Sequence, residues 1–214
     1  MKIERFVTGP FQENCYLVWD ETTGEAAYVD PGDEGDRLVA AARGLHVTPV
    51  AIWITHAHLD HVGGVAQLRK AFGIPVYLHP ADRELYGMAA QLAAAYGISI
   101  EQPPEPEHWL FDGEHLQLGG LDFRVMHAPG HAPGHVVIHG QGVAFVGDCL
   151  FAGSIGRSDL PLSDGRELMR SLAKIAALPR ETRVLPGHGP ETTIAEELRS
   201  NPFLNGLALP VRRQ

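Results

Sequence analysis

The sequence predicts an α/β fold, and three observations support this prediction. Apolar runs of strand length, such as residues 50–54 and 143–146, occur along the whole chain. Between them lie stretches with apolar residues at helical spacing, such as Leu38, Val39 and Ala42. Glycine and proline separate the two kinds of stretch, and the resulting order of strand, helix and strand is typical of α/β proteins.

Length and composition predict a globular chain with a sizeable core. Of its 214 residues, 44% are hydrophobic and 20% are charged. We expect a single domain over residues 1–214 with two similar halves, about 1–102 and 107–214, joined by the proline-rich residues 103–106. The net charge of −9 argues against nucleic acid as a partner, because such proteins present a basic face to phosphates.

The cysteines and the N-terminal residues indicate the cellular compartment. Cys15 and Cys149 are the only cysteines, so no disulfide framework is indicated. The first residues lack the apolar segment of a signal peptide, and no apolar stretch reaches the roughly 20 residues that cross a bilayer. We therefore expect a cytoplasmic protein without a membrane partner, and the sequence leaves its oligomeric state open.

The predicted elements follow the same order in both halves. In the first half we predict strands at residues 3–8, 15–19, 26–30, 50–54 and 76–78. Helices are expected around Leu38, from Val65 to Phe72, and as one continuous helix over residues 81–96. In the second half we predict strands at residues 114–118, 121–126, 136–139, 143–146 and 183–185, and helices at residues 166–177 and 193–200.

Residues 55–64 predict a metal site. Four groups that can bind a cation, His56, His58, Asp60 and His61, lie within six residues directly after a buried-strand pattern. Alternate side chains of an extended segment point the same way, so His56 and His58 can bind one ion. Asp60 and His61 follow once the chain turns, and they are better placed for a second ion. A cluster of ordinary hydrogen-bonded histidines is the alternative, but this spacing and these residue types favour metal.

Three more ligands are predicted just past the ends of other apolar runs. His131 follows residues 123–126, Asp148 follows residues 143–146, and His188 follows residues 184–185. We expect the loops to converge, with His56, His58 and His131 on one ion, Asp60, His61 and His188 on the other, and Asp148 bridging them. Such a pair, about 3.5–4 Å apart, would hold a hydroxide. Imidazole and carboxylate accept zinc, iron or manganese, and we expect two divalent ions, zinc first.

These residues resemble the metallo-β-lactamase superfamily. The resemblance covers most of the chain and rests on the stretches His56-x-His58-x-Asp60-His61, Gly130-His131-Ala132-Pro133-Gly134-His135, Gly147-Asp148 and Gly187-His188, together with Asn14-Cys15-Tyr16-Leu17-Val18 and Val29-Asp30-Pro31-Gly32. It implies an αββα sandwich with two metals at one edge of the sheets. Residues 151–159 look most like the glyoxalase II group, which hydrolyses S-D-lactoylglutathione.

The chain also differs from glyoxalase II. The typical enzyme has a Lys and a Tyr after the bridging Asp, a Tyr after the last His, and an added C-terminal helical domain, all of which hold glutathione. Arg157, Asp159 and Gly189 stand in the corresponding places, and we expect no such helical domain. The resemblance therefore carries over the metal chemistry and leaves glutathione specificity open.

The chemistry predicted for the site is thioester hydrolysis by a metal-bound hydroxide. We assign the catalytic role to Asp60, which would bind the second ion and orient the hydroxide. Arg157 is expected to bind a substrate carboxylate, with an ion pair to Asp159 as the alternative. Asp30 either orients a ligand histidine or is a turn residue before Pro31.

Several other residues could have roles near the site. His79 and His135 are expected to have ordinary hydrogen-bonded roles rather than to line the site, and Cys149 is expected to be inert. The helix containing Leu85, Met88 and Leu92 either covers the substrate or only packs in the core.

Other functions are compatible with parts of the sequence. The main alternative is a persulfide dioxygenase, since those enzymes resemble this chain and share an Arg after the bridging Asp, but they bind one iron through two His and one Asp. A nuclease or lactonase of the same superfamily is less favoured. A binding module stabilised by a structural metal is disfavoured, because closed structural sites use four ligands rather than seven.

Overall fold

The first of two β-sheets is formed by the N-terminal half of the chain. The computed structural model describes residues 1–205. The six strands of this sheet lie side by side in chain order, and they are β1 (Lys2–Thr8), β2 (Glu13–Trp19), β3 (Glu25–Val29), β4 (Thr48–Trp53), β5 (Val76–Leu78) and β6 (His108–Trp109). Strands β1 to β3 are antiparallel, whereas β3 to β6 are parallel.

The second sheet is formed by the C-terminal half. It contains β7 (His115–Leu118), β8 (Leu121–His127), β9 (Val136–Gly140), β10 (Val143–Gly147), β13 (Arg183–Pro186) and β14 (Thr192–Thr193), in the spatial order β14-β13-β10-β9-β8-β7. Strands β11 (Leu150–Phe151) and β12 (Ser154–Ile155) form a small separate hairpin. Strand β10 pairs in parallel with β13, so both strands end at the same edge of the sheet.

Helices cover the outer face of each sheet. They are α1 (Gly35–Gly44), α2 (Leu59–Val62), α3 (Val65–Phe72), α4 (Arg83–Gly87), α5 (Ala89–Ala95), α6 (Gly165–Ile175) and α7 (Ile194–Ser200), with a 3-10 turn at Pro80–Asp82. The Asp164 carboxylate caps α6 by accepting hydrogen bonds from the Arg166 and Glu167 amides.

Three buried clusters correspond to the three interfaces of this sandwich. Residues of both sheets, including Trp53 and Phe123, pack between the sheets with their rings edge to face, 5.4 Å apart. Leu38 and Leu68 belong to the cluster under α1 and α3, and Leu172 belongs to the one under α6. The α/β class and the αββα arrangement expected from the sequence are therefore confirmed.

The prediction of one helix over residues 81–96 is wrong. The stretch divides into the 3-10 turn, α4 and α5, with a break at Met88 next to Gly87. Glycine is a weak helix former, costing about 1 kcal/mol relative to alanine, so the chain can change direction there. The sequence also did not predict α2 or the two-residue strands β6, β11, β12 and β14. The end of the second predicted half, residues 206–214, lies outside the described residues. Within residues 1–205, no helix is long and apolar enough to cross a membrane.

Candidate metal centre

The seven predicted ligands lie together at the edge where β4, β8, β10 and β13 end. His56, His58 and His131 each offer a ligand atom within 4.8 Å of the others, and so do Asp60, His61 and His188. The parallel pairing of β10 with β13 and of β4 with its neighbours directs these loops to a common edge. The structure thus brings together residues that are up to 132 positions apart, although metal binding by them stays a prediction.

The first group has its imidazole nitrogens aimed at one point. Nδ1 of His58 and Nε2 of His131 are 2.9 Å apart. On its other side, Nδ1 of His131 donates to the carbonyl oxygen of Arg157 at 2.8 Å. A carbonyl can only accept, so the proton of neutral His131 is on Nδ1. Nε2 therefore carries a free lone pair on the side of His58, and a free lone pair is what metal ligation requires.

The second group combines a carboxylate with two imidazoles. Oδ2 of Asp60 lies 3.2 Å from Nε2 of His188 and 3.9 Å from Nε2 of His61. Asp60 and His61 are part of the short helix α2, which begins right after His58. His61 stays close to the first group, since its ring centroid lies 4.1 Å from that of His56.

Asp148 lies between the two groups. Its Oδ2 is 3.6 Å from Nε2 of His131 and 3.5 Å from Nε2 of His188, while Oδ1 is 3.5 Å from Nε2 of His61. One carboxylate thus reaches histidines of both groups. This is the placement expected of a bridging ligand.

Unpartnered buried atoms test whether the residues fit a metal. Within residues 1–205, seven buried side-chain atoms have no hydrogen-bond partner, and three of them belong to predicted ligands: Nε2 of His56, Nε2 of His61 and Oδ1 of Asp148. Unsatisfied buried polar atoms are costly. A divalent cation would give these three a partner, so the donor set fits cations held by nitrogen and oxygen.

Asp30 fixes the orientation of two of the histidines. Its carboxylate accepts from the Thr55 amide at 2.7 Å and from Oγ1 of Thr55 at 2.6 Å, and Nδ1 of His61 donates to it at 3.1 Å. Since the Thr55 hydroxyl proton goes to Asp30, Nδ1 of His56, 3.1 Å from that hydroxyl, must be the donor in this pair. Asp30, His56 and His61 also lie close enough together to hold an ion, but the Asp30 oxygens already accept hydrogen bonds from Thr55 and His61. Asp30 therefore supports the ligand histidines rather than binding metal itself.

Two buried residues hold the ligand loops: Asp82, for which the sequence predicted no role, and His135, for which it predicted an ordinary hydrogen-bonded one. The Asp82 carboxylate accepts from the Ala57 amide at 2.9 Å and from the Gly134 amide, so it joins the loop of His56 and His58 to the loop of His131. Nε2 of His135 accepts from the Asp148 amide at 3.0 Å, and its ring stacks on His56. His135 therefore supports the bridging carboxylate from behind.

Residues of the Asn14-Cys15-Tyr16 stretch hold the loop before His188. The Pro186 carbonyl accepts from Nδ2 of Asn14 at 2.9 Å and from the Tyr16 hydroxyl at 2.8 Å. Gly187 packs so closely that a Cβ atom there would lie 2.6 Å from Cε1 of His61. Only glycine fits at this position.

The electrostatics of the cluster favour bound cations. Burial opposes the charged form of Asp148, but the adjacent His61, His188 and His131 hold the pKa of its carboxyl well below the usual range. Burial likewise opposes protonation of His61, yet Asp148 and Asp60 raise its pKa well above the usual value. By contrast, burial lowers the pKa of His58 to about 4, with His131 adding to the effect. The Asp148 carboxylate is thus ionised, which is the form that binds a cation.

A cavity of about 450 Å³ opens onto the cluster. His58, Asp60, His131, Asp148 and His188 form part of its lining. His56 and His61 are fully buried behind them. A small molecule entering this cavity would meet both groups of ligands.

The remaining predicted residues occupy varied positions. Arg157 lines the cavity, and its guanidinium also forms a two-point ion pair with Asp159, with both distances 2.9 Å. His79 stacks on His127 and accepts from the Ala81 amide, outside the cluster. Sγ of Cys149 is buried and packs against the Ala128 carbonyl and His135.

The chain is similar along its whole length to proteins of one family. The model of the metallo-beta-lactamase superfamily matches residues 8–188. Hydroxyacylglutathione hydrolase GloC of Haemophilus influenzae is 40% identical over 96% of this chain and 99% of its own.

Solved structures show the same likeness. The structure of TTHA1623 in a di-iron-bound form is 47% identical with a TM-score of 0.87, covering 94% of this chain and 100% of that one. The structure of BLEG-1 B3 metallo-beta-lactamase is 39% identical with a TM-score of 0.89, covering 96% and 100%. Fold, ligand cluster and sequence similarity agree, and the chain therefore belongs to the metallo-beta-lactamase superfamily.

Proposed function

We propose that this chain is a metal-dependent hydrolase that cleaves a hydroxyacyl thioester, with S-D-lactoylglutathione as the first substrate to test. The superfamily supports a metallohydrolase, and the similarity to a hydroxyacylglutathione hydrolase supports the thioester. The observation that carries the proposal is the position of Asp148, within 3.6 Å of histidines from both ligand groups.

The residues divide the work of holding two divalent ions. His56, His58 and His131 would bind one ion, Asp60, His61 and His188 the other, and Asp148 both. Two such ions supply a water-derived nucleophile near neutral pH and stabilise negative charge on the carbonyl oxygen. Zinc is the first expectation for this donor set, while the di-iron form of TTHA1623 makes iron the next metal to test.

Asp60 has the best position for a catalytic role beyond ligation. Asp60 lines the cavity, and the two nearby imidazoles, of His188 at 3.2 Å and of His61 at 3.9 Å, both lie beside Oδ2. The second oxygen is free to accept a proton from the attacking water and to orient it. A thiolate leaves without a strong general acid, so the cluster needs no further proton donor.

Turnover of S-D-lactoylglutathione by the metal-loaded protein tests this proposal. Asp60→Asn keeps the size of the side chain but removes its charge, and we expect kcat to fall by at least about 100-fold. Asp36→Asn, an exposed change on α1, is the matched control and should retain full activity. Metal-loaded wild-type protein that hydrolyses no thioester would contradict the proposal.

The persulfide dioxygenase is the second candidate. Arg157 lines the cavity, where that resemblance expects an arginine. Oxygen consumption with glutathione persulfide and one iron per chain would favour this activity over hydrolysis. A lactonase or nuclease activity has no comparable observation in its favour. The cytoplasm remains the proposed compartment, supported by the two free, buried cysteines of the described residues.

A further inference from the structure

The wall of the cavity above the cluster is apolar. Apart from the five clustered ligands, every residue that lines it is apolar or aromatic except Arg157. The apolar side chains come from three separate parts of the fold, and they include Phe11, Leu85, Leu92, Tyr96, Phe151 and Leu160. This wall begins at the ligands themselves, since the Phe151 ring lies 6.1 Å from the His188 ring, edge to face.

Arg157 offers little to an anionic substrate. It is the one cationic side chain besides histidine on the lining, and its Nε and one terminal nitrogen each donate to Asp159 at 2.9 Å. The glutathionyl group carries two carboxylates and one ammonium. The lining therefore lacks the set of opposite charges that would fix this group.

Two exposed aromatic side chains extend the apolar wall to the mouth of the cavity. Phe11, in the loop between β1 and β2, is 40% exposed, and Tyr96, just past α5, is 65% exposed. Their rings meet edge to face with centroids 6.0 Å apart, although the two residues belong to distant parts of the chain. Exposed aromatic side chains at a cavity mouth offer apolar surface that a ligand can cover.

We infer that the cavity binds a thioester with an apolar alkyl or aryl substituent beside the reacting carbonyl, and that Phe11 and Tyr96 form part of the surface that selects it. This inference rests on the proposed hydrolysis and narrows its substrate class. The apolar substituent can stand on the acyl side or on the thiol side, and the two are chemically alike for this wall.

A set of synthetic thioesters tests an apolar substituent on the acyl side and on the thiol side separately. The reference is S-lactoyl-N-acetylcysteamine, which has a small acyl group and an uncharged thiol. The first arm replaces lactoyl by mandeloyl, which adds a phenyl ring on the acyl side, and the second replaces N-acetylcysteamine by benzyl mercaptan. A third arm replaces N-acetylcysteamine by glutathione.

For the zinc-loaded protein we expect at least one phenyl-bearing thioester to exceed the reference in kcat/KM by about tenfold or more, since even a single methylene in an apolar pocket is worth about that much. We expect glutathione to bring a smaller gain. Phe11→Ala and Tyr96→Ala should each reduce the phenyl preference. Phe203→Ala removes an exposed aromatic side chain outside the cavity and should keep the wild-type preference.

The outcomes distinguish the two proposals. Hydrolysis without any gain from either phenyl group, or a larger gain from glutathione, would overturn the apolar specificity and leave the hydrolase intact. A phenyl preference unchanged in both alanine variants would overturn the role of Phe11 and Tyr96. Failure to hydrolyse any of the thioesters would overturn the proposed function and, with it, this inference.

Discussion

Oδ2 of Asp30 lies 3.1 Å from Nδ1 of His61, on the side of the ring that faces away from the ligand cluster. The same carboxylate holds Thr55, whose hydroxyl in turn accepts from His56. One buried acid thus sets the orientation of a histidine in each ligand group. Asp30 itself is not part of the cavity lining.

Asp30→Asn tests this positioning. The asparagine amide places N–H groups against the Thr55 and His61 donors. The His61 ring, and the His56 ring that Thr55 holds, therefore lose their fixed orientation. We expect metal affinity to fall by about 10- to 100-fold, as for other partners of metal-bound histidines. Competition with a chromogenic chelator measures it, and the exposed Asp36→Asn should bind metal like wild type.

Gly187→Ala tests how closely the loop before His188 packs. The added methyl would overlap Oδ1 of Asp148 and lie 2.6 Å from Cε1 of His61. We expect at least half of the bound metal to be lost, as determined by elemental analysis. Gly44→Ala is the control, because a Cβ at this position of α1 meets no atom within 4 Å. Equal metal contents in the two variants would show that the close packing is not needed.

Asp82→Asn tests whether a residue outside the cluster holds two ligand loops together. Asparagine has one acceptor oxygen where the carboxylate serves both the Ala57 and the Gly134 amides. We expect weaker metal binding and a Tm lower by several degrees, since a buried N–H left without a partner costs about 1–3 kcal/mol. The exposed Asp36→Asn should leave both quantities unchanged.

The metal-free protein should become less stable on acidification from about pH 6.5 to about pH 4. Burial lowers the pKa of His56, His58, His131 and His135, so the unfolded state binds more protons than the folded state in this window. Asp82 and Glu13 act in the opposite sense. Burial raises the pKa of both carboxyls, that of Asp82 to about 6, so the stability that the protonated carboxyls contribute is lost as the pH rises through their folded-state pKa values.

Four imidazoles outweigh two carboxyls, so we expect the net Tm of the chelator-treated protein to fall with falling pH. His58→Gln should make this fall shallower, and Asp82→Asn should make it steeper. The exposed His46→Gln is the control. An unchanged slope in both test variants would contradict the assignment of these groups.

The convergence of the candidate ligands could be predicted because separate apolar runs lead to them. His56, His131, Asp148 and His188 follow four strands, β4 of the first sheet and β8, β10 and β13 of the second, whose ends meet at one edge of the sandwich. Asp82 could not be predicted in this way. Asp82 acts through backbone amides 25 and 52 positions away, and an aspartate near a helix start is too common to indicate that role.

Two parts of the fold were mispredicted for identifiable reasons. The apolar spacing of Leu85, Met88 and Leu92 continues across the break at Met88, so periodicity alone cannot show that two helices meet there. Strands of two residues, such as β6, have no pattern of their own, because they are defined only by their pairing with a neighbour.

The metal content of the zinc-loaded protein after removal of loosely bound ions tests the central claim most directly. The arrangement of the two ligand groups around Asp148 predicts about two ions per chain. His188→Gln should retain about one, and the exposed His46→Gln should retain both. A wild-type protein that binds one ion or none, or a His188→Gln variant that still binds two, would contradict the account.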